Sequence, residues 1–576
     1  MSGRAAKPLH CYFFTDDELH AEYAWAWVLH NLVPFVDKVL GIAGAMDQRP
    51  IAALDWQIRL PLSLAVAANP TSKPLLAAAH AANVAFWFAR MPAVWDYMCW
   101  VALTELVYVV AVLRGGGQEF MRTAFLPAAR ALLITLYFSA AFWKLTTSFL
   151  EPKTSCATTL VAELAAALFG DAIATTGAFA KGLMASAPAQ IVGIEALVPL
   201  LMLRGSRWAV PVAALFHFTI NLMPVTYAGG FSISMGCRLV LFLPGALLGT
   251  ARGERGAAGG VAVLAAMAAL FLKAHRGAVD TAGALFVVLG GCYYRRALFD
   301  GAPVEKLVCR DGPLRRGAVG AGVVYGFLFP AVGVMAMASS SMYGNLRQFD
   351  GGYGNHLLAP TGVLQRLYEE ADPRTALGGA FGGGVVRLER RGTTGGVFDE
   401  LFFNADVSHE QPPYAVTLLR DAVPGHPARY FEFYAARNYF ERGNSDHADT
   451  ALHNEKGAGL APADQAAKPP PALAMPAYEL RRALALAKAR GEPFKVAYAK
   501  LSSATPAAWR VEKPPKADVV AYAWPADACR DGRGRACGPD ELPRLPAPPA
   551  WLTRFLHPYP VPLLDDGSGD EVHCTT

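Results

Sequence analysis

The sequence has few charged residues for its length. Of 576 residues, 17% are Asp, Glu, Lys or Arg and 53% are hydrophobic, whereas an ordinary soluble domain is about 25% charged. The deficit lies mainly in residues 1–340, which hold 26 Lys+Arg and 19 Asp+Glu, against 26 and 28 in residues 341–576. This asymmetry excludes a disordered chain, a fibrous repeat and a single soluble globule. It predicts a membrane-embedded block followed by a water-soluble domain.

Several short motifs are also absent from the sequence. The nine cysteines form no CxxC pair, which argues against a zinc knuckle or a thioredoxin-type site. There is no GxSxG elbow, HExxH helix, phosphate loop or N-x-Ser/Thr sequon. The N-terminus lacks the apolar core of a signal peptide. Lys and Arg do not cluster with aromatic residues, so we expect no nucleic-acid partner.

One hydrophilic stretch holds several potential metal ligands. It contains Asp446, His447, Asp449 and His453. Their spacing matches no specific metal motif. We therefore expect a solvated loop there and no metal site.

Long apolar segments dominate residues 1–340. A helix needs about 20 apolar residues to cross a bilayer core, and such stretches recur throughout this block. We predict an all-α polytopic membrane bundle of about eight to ten helices. The predicted segments are Tyr23–Ala45, Pro74–Ala89, Met91–Leu113, Ala131–Leu150, Gly182–Leu203, two helices with a tight bend in Trp208–Cys237 that continue through Leu239–Ala251, Gly256–Leu272, Gly277–Tyr294 and Gly317–Leu346.

The basic residues between these segments predict the orientation of the chain. Most of them fall on one face of the predicted bundle, which makes that face cytoplasmic. The last segment then delivers residues 341–576 to the lumenal or extracytoplasmic side. Cys529 and Cys537 flank a short loop there, where they form either a disulfide or two free thiols. We expect a multi-pass protein of an endoplasmic-reticulum-type endomembrane or of the plasma membrane.

The C-terminal region has a mixed α/β character. Runs in GGGVVRLERRG, GGVFDELFFNADVS and YAVTLLRDA predict strands, and the spacing in Pro476–Arg490 predicts a helix. We divide the chain into a transmembrane domain (1–340), an extracytoplasmic β-rich domain (341–456) and a C-terminal part (457–576). The C-terminal part contains an Ala/Pro-rich linker, the predicted helix and a Pro-rich tail.

Four ionisable side chains fall inside predicted spans, where they are costly and therefore mark candidate functional residues. They are Glu105, Lys144, Glu195 and His217. A buried lysine amine can act as a base, but Lys144 can also extend its amine to the membrane interface. Glu195 needs a partner or a proton, and Lys144 is a candidate partner. A lysine paired in this way stays charged and is a poor base. Glu105 is either functional or structural.

His217 and Asn221 lie four residues apart and therefore share one face of a helix. Such a pair can bind a polar head group or polarise a carbonyl. Hydrogen bonds between membrane helices are the alternative role. We predict Lys144 as the catalytic residue, and His217, Asn221 and Glu195 as binding residues for a substrate or cofactor.

The stretch YFSAAFWKLTTSF, which contains Lys144, resembles the signature of the vitamin K-dependent gamma-carboxylases and of their wider relatives, the HTTM (horizontally transferred transmembrane) proteins. Glu195 before Pro-Leu-Leu, the helix FHFTINLMP and the segment MYGNLRQFDGGYGNHLLAP are similar to the same group. The resemblance covers roughly residues 74–360.

The resemblance implies a specific chemistry. Lys144 matches the family's base, which deprotonates reduced vitamin K or a related quinol. The oxygenated product then removes the γ-proton of a substrate glutamate, to which carbon dioxide adds. The implied partners are membrane lipid and a protein substrate on the lumenal side.

The sequence also departs from the carboxylase pattern. His217 and Asn221 are separated by one residue more than in the carboxylase, and His80 is the nearest counterpart of its Trp-Asn-Asn-His stretch. A non-catalytic HTTM membrane protein that binds a lipid or a partner protein is therefore the alternative function.

Overall fold

A computed structural model of the chain is mostly helical, with a small antiparallel sheet in the C-terminal region. It describes residues 14–40, 55–90, 96–115, 119–170, 177–222, 225–249, 253–275, 281–300, 312–331, 355–359, 371–372, 375, 381–392, 397–398, 408–410, 413–424, 430–432, 472–501, 514–549 and 561–563.

The described part of residues 1–340 contains a three-residue helical stretch, Phe329–Ala331, and thirteen α-helices of four or more residues. They are α1 Asp16–Leu40, α2 Leu60–Ala68, α3 Lys73–Arg90, α4 Asp96–Leu113, α5 Leu126–Trp143, α6 Thr147–Leu150, α7 Cys156–Phe169, α8 Ala178–Leu203, α9 Ala209–Asn221, α10 Val225–Arg238, α11 Gly253–Ala274, α12 Thr281–Tyr294 and α13 Pro313–Val323. Short π-helical turns precede α2 and α5 and follow α12 and α13. Side-chain caps start three of the helices: Thr15 accepts from the amide of Glu18 in α1, Thr146 from that of Phe149 in α6, and Ser155 from that of Ala157 in α7.

Three helical stretches are long and apolar enough to cross a membrane. They are Met121–Trp143, Ala178–Leu203 and Ala257–Ala274, and inside the protein they are 83%, 33% and 17% buried. The first is therefore a central helix, and the third lies at the periphery with most of its surface free. The larger number of predicted spans stays a prediction.

Two helix boundaries differ from the sequence prediction. Helix α5 ends at Trp143, so Ala131–Leu150 is not one continuous helix. Helix α10 ends at Arg238, and a 3₁₀ turn and bends follow it rather than more α-helix through Leu239–Ala251. The second break has a local cause: Gly245 has a φ of +78°, and the Glu22 carboxylate accepts hydrogen bonds from the amides of Gly245 and Leu247. The two helices predicted in Trp208–Cys237 are confirmed by α9 and α10, and residues 223–224 between them lie outside the described residues.

The C-terminal region contains a six-stranded antiparallel sheet with the order β7-β6-β5-β1-β4-β8. Its strands are β1 Val385–Arg390, β4 Ala472–Pro476, β5 Phe494–Leu501, β6 Val519–Trp524, β7 Ala528–Arg530 and β8 Val561–Leu563; β2 Ser408–Glu410 and β3 Tyr430–Glu432 form a separate pair. Val386 of β1 faces Met475 of β4 and Lys500 of β5. The β1–β4, β1–β5 and β4–β8 pairings join strands about eighty residues or more apart, whereas β5, β6 and β7 follow one another closely in the chain.

The core of this region lies between the sheet and one helix. Helix α15, Ala477–Ala489, confirms the helix predicted for Pro476–Arg490. Leu480 and Leu484 of α15 pack with Val386 and Leu388 of β1, and β1 confirms the strand predicted in GGGVVRLERRG.

The strand predicted for YAVTLLRDA is wrong. These residues form helix α14, Pro413–Ala422. Ala415, Leu418 and Leu419 have the i, i+3, i+4 spacing of one helical face, and they pack against the alanines of α7 and against Ala180 and Met184 of α8. The helical period and the packing partner outweigh the strand preference of Val416 and Thr417.

Candidate functional site

The predicted catalytic lysine lies where α5 ends. Lys144 follows Trp143 as the C-terminal cap of α5, and its Nζ lies 3.0 Å from Glu195 Oε2 on α8. The two residues are 7% and 5% exposed. The amine is therefore buried against a carboxylate and does not extend into solvent. Glu195 has the partner that a buried charge requires.

Helix α8 is locally weakened at Glu195. Pro188 and Pro199 both lie inside this helix, and proline has no N–H group. Pro199 therefore leaves the backbone oxygen of Glu195, four residues earlier, without its helical donor. Residue 195 thus offers two acceptors, its carboxylate and its backbone oxygen, at one point of α8.

A tyrosine and a histidine extend this ion pair into a longer polar arrangement. Tyr137 precedes Lys144 by seven residues, or two helical turns, and so lies on the same face of α5. Its hydroxyl is 2.5 Å from His217 Nε2 on α9, and Glu195 is close enough to interact electrostatically with it. We call Lys144, Glu195, Tyr137 and His217 the polar row. It joins three helices.

Two polar atoms on α9 have no hydrogen-bond partner within the part of the chain that the structure describes. They are His217 Nδ1 and Asn221 Nδ2, and both residues are buried. The His217 ring lies between Phe216 and Phe231, with ring centroids 5.3 and 5.2 Å away. Buried polar atoms normally have a partner. These two atoms can hydrogen-bond a ligand that presents polar atoms beside the aromatic rings.

A short segment from the C-terminal side of the chain covers the end of α5. We call residues 355–359 the strap. Thr146 and His356 form an antiparallel bridge, and backbone hydrogen bonds flank it on both sides. These bonds run from Thr147 N to Asn355 O and from Leu357 N to Leu145 O, both at 2.9 Å. The strap therefore holds the two residues after Lys144 in an extended conformation.

His356 fixes the strap through both ring nitrogens. Its Nδ1 accepts from the amides of Leu358 and Ala359 at 3.1 and 2.8 Å. The proton must therefore be on Nε2, which donates to the backbone oxygen of Phe142 at 2.8 Å. Burial lowers the pKa of His356, although the bond to Phe142 opposes the shift. The ring is thus a neutral imidazole that packs on Phe142 and Trp143.

Glu105 lies in a second buried group, which we call the Glu105 cluster: Trp27, His80, Asn83, Glu105 and Arg238. The carboxylate accepts from Trp27 Nε1 at 2.8 Å and from Asn83 Nδ2 at 2.9 and 2.8 Å. His80 Nδ1 and Arg238 Nη2 each lie 3.9 Å from Glu105 Oε1. Among the described residues, no hydrogen bond or ion pair joins this cluster to the polar row.

Sequence reasoning missed two residues that complete the site. Tyr137 had a usable signal, because it lies seven residues before Lys144 and a helix brings such residues to one face. His356 had none, because its partner Phe142 is 214 residues away in the chain.

Other sequence candidates lie apart from the site. Cys529 and Cys537 form a disulfide that joins β7 to the loop after it. Asp446, His447, Asp449 and His453 lie outside the described residues. In the ranges that are described, no group of three or more His, Cys, Asp or Glu side chains is arranged to hold a metal ion.

Comparison with known families is informative for the C-terminal region. A family model described as a domain of unknown function, DUF8388, matches residues 354–554. This range includes the strap, α14, α15 and strands β1 to β7. No curated protein matches the chain, and no solved structure matches it. The C-terminal region is thus similar to a family without an assigned activity.

Proposed function

We propose that the protein is a multi-pass membrane enzyme of the HTTM and gamma-carboxylase-like group, which uses a quinol to carboxylate protein glutamate with Lys144 as the base. The polar row is the observation that carries this proposal. Lys144, Glu195 and His217 were selected from separate parts of the sequence; Lys144 pairs with Glu195, and His217 is hydrogen-bonded to Tyr137.

The location of the cysteines supports an extracytoplasmic position for the C-terminal region. Disulfides persist mainly in oxidising compartments. Cys529 and Cys537 are bonded to each other in this region, and Cys156, at the start of α7, is also disulfide-bonded. Cys156 and Lys144 belong to the same end of the bundle, which is the end that the strap covers. An oxidising side, lumenal or extracellular, therefore faces the proposed site.

The Lys144–Glu195 pair has to release a free amine before Lys144 acts as a base. Burial penalises both ions of such a pair, so moving the proton from Lys144 Nζ to the Glu195 carboxylate removes two buried charges at once. The neutral amine then accepts a proton from the bound hydroxyl, and Glu195 keeps the first one. Each step moves one proton and changes no other bond.

The unpartnered atoms of α9 define where a ligand would bind. His217 Nδ1 and Asn221 Nδ2 are the buried groups that would hold the oxygens of a quinol, while Phe216 and Phe231 supply apolar contacts. When bound, reduced vitamin K or a related quinol supplies the reducing power that drives glutamate deprotonation. Tyr137 holds the His217 ring in place through Nε2.

A non-catalytic membrane protein is the second candidate function. The observation in its favour is that the ionisable groups already bind each other: Lys144 pairs with Glu195, and Tyr137 with His217. Pairs of this kind also hold membrane helices together. In that case the C-terminal region binds a lipid or a partner protein and no proton moves in the polar row.

A carboxylation assay distinguishes the two functions. Membranes containing the protein receive reduced vitamin K, labelled bicarbonate and a glutamate peptide. We expect label in the peptide, loss of it in Lys144→Ala, and full incorporation in Lys181→Ala, because Lys181 is an exposed lysine on α8. If the protein is folded and a known carboxylase is active in the same assay, absence of label contradicts the enzymatic function and favours the binding function. Equal incorporation in Lys144→Ala contradicts the assignment of the base.

A further inference from the structure

The Glu105 cluster contains more buried polar atoms than its own hydrogen bonds satisfy. His80 has no hydrogen-bond partner on either ring nitrogen, and Tyr23 Oη, Asn83 Oδ1 and Arg238 Nε have none in the described ranges. These residues are at most 3% exposed. Because a native interior rarely leaves so many polar atoms unpaired, the cluster lacks part of its binding partners.

The spacing of the cluster indicates that the missing partner is water. The 3.9 Å distances from Glu105 Oε1 to His80 Nδ1 and to Arg238 Nη2 are too long for direct hydrogen bonds. Polar groups at such separations are commonly bridged by an ordered water. A buried water needs two to four polar partners, and the unpaired atoms of His80, Tyr23 and Arg238 supply them.

A path of polar groups leads from this cluster to the protein surface. His80 packs against the ring of Tyr108 with centroids 4.8 Å apart, and the Tyr108 hydroxyl is hydrogen-bonded to His20 Nε2. His20 also interacts with the backbone of Pro70 and with the charges of Lys73 and Asp17.

The surface end of the path is an ion-pair network. Lys73 Nζ lies 3.7 Å from Asp16 Oδ2 and 3.5 Å from Asp17 Oδ1, and the Asp17 side chain is 71% exposed. The turn at Pro70 lies between exposed residues Asn69 and Thr71. Solvent therefore reaches the ion pairs of Lys73 and Asp17 beside His20, whereas His20 and Glu105 are themselves fully buried.

We infer that Glu105 is the terminus of a hydrated proton-binding site, which exchanges protons with solvent through His80, Tyr108 and His20. The ligand of this site is a proton carried by bound water. In one exchange, His20 takes a proton at the solvent side and passes the one on its other nitrogen to Tyr108 Oη. The Tyr108 hydroxyl proton moves through water to His80, and His80 passes one to Glu105. Every intermediate group ends with its original number of protons.

The charges around Glu105 come from several helices. Arg238 of α10 and Arg59 before α2 both interact electrostatically with it, and they favour its ionised form. His80 of α3 and Tyr23 of α1 face it as neutral groups. Burial at 0% exposure opposes ionisation. Glu105 is therefore fully enclosed, with cationic neighbours from two other parts of the bundle.

Infrared spectroscopy of the full-length protein tests this site. On transfer from H₂O to D₂O, we expect a protonated-carboxyl band that shifts, that is missing in Glu105→Gln, and that persists in Glu163→Gln, which alters another buried glutamate. Tyr108→Phe keeps the ring and removes the hydroxyl, so it should slow the exchange by roughly tenfold or more, as expected for a lost proton-transfer group.

Two results would overturn the inference. The first is a carboxyl band that survives in Glu105→Gln, which would assign the proton to another residue. The second is an exchange rate that stays unchanged in both Tyr108→Phe and His20→Phe, because the path would then not carry the proton. The carboxylation assay has no bearing on either result, so the two proposals are tested separately.

Discussion

The polar row and the Glu105 cluster are both built around a buried glutamate, but they satisfy its carboxylate differently. Glu195 has one strong partner, the Lys144 amine at 3.0 Å. Glu105 accepts hydrogen bonds from two neutral side chains, Trp27 and Asn83, and has its cationic neighbour Arg238 only at 3.9 Å. One proton transfer from Lys144 therefore neutralises Glu195. The Glu105 carboxyl group, in contrast, is stabilised by hydrogen-bond donors from several helices at once.

The two sites also differ in how firmly the backbone holds them. Lys144 is the first residue after α5, and Pro199 removes a helical hydrogen bond from Glu195. Glu105, in contrast, lies in the interior of α4 and accepts hydrogen bonds from Trp27 of α1 and Asn83 of α3. The Lys144–Glu195 pair therefore joins a helix end to a helical irregularity, whereas Glu105 is held within a regular helix by donors from two other helices.

Removal of the Glu105 carboxylate should have the largest effect on stability. Glu105→Ala leaves the buried donors of Trp27 and Asn83 unpaired. We expect a loss of about 3–5 kcal/mol, because each buried donor left without an acceptor costs about 1–3 kcal/mol. Denaturation in detergent micelles measures it. The control is Glu119→Ala, at an exposed position, which should change stability by no more than about 0.5 kcal/mol.

A double-mutant cycle at Lys144 and Glu195 sharpens the comparison. Lys144→Met and Glu195→Leu alone each leave one buried charge, so each should destabilise the protein by roughly 3 kcal/mol. The double variant should recover most of that loss, because apolar residues of similar volume often replace a buried ion pair at little cost. Simple additivity of the two losses would show that the pair does not interact in solution. No matching rescue is expected at Glu105, because it has more than one partner.

From the sequence we predicted the helical class and named three of the four residues of the polar row, but not the contacts between them. Lys144, Glu195 and His217 stood out because an ionisable group in an apolar helix is costly, and that argument needs no tertiary information. The strap and the six-stranded sheet could not be predicted, since Thr146 meets His356 and β1 meets β5 only through long-range pairing. Helix α14 was mistaken for a strand because its β-branched residues were weighed above the spacing of Ala415, Leu418 and Leu419.

The C-terminal region offers a third buried glutamate for the comparison. Glu479 lies 2.8 Å from Arg482, yet burial raises the pKa of Glu479 to about 7, against the opposing effect of Arg482. In the unfolded chain the carboxyl ionises at its ordinary pKa of 4.5. Its contribution to stability is therefore fully present below pH 4.5 and is lost as the pH rises through about 7.

Hydrogen exchange in the full-length protein measures this effect. Protection of the amides in α15 should fall between pH 5 and pH 8, after correction for the intrinsic exchange rate, and the fall should be reduced in Glu479→Gln. The expected change is smaller than for Glu105→Ala because Arg482 partly stabilises the ionised form. Protection in α15 that rises over the same range would contradict the assignment of the shift to Glu479.

The smallest effect is expected at the strap, which covers the polar row and has no equivalent at the Glu105 cluster. Because burial lowers the pKa of His356 below its ordinary value, the strap's stability is fully present above pH 6.5 and is lost as the pH falls through the lowered pKa. Protonation of Nδ1 removes the acceptor for the amides of Leu358 and Ala359. Each lost hydrogen bond is worth roughly 1 kcal/mol.

Hydrogen exchange of the Leu357 amide measures the opening of the strap. This exchange should be faster in acid, and faster at all pH values in His356→Phe. Leu358→Ala, which alters an exposed side chain of the same strap, should keep the normal pH profile; a strap that opens equally in both variants would mean that His356 is not its pH-sensitive group.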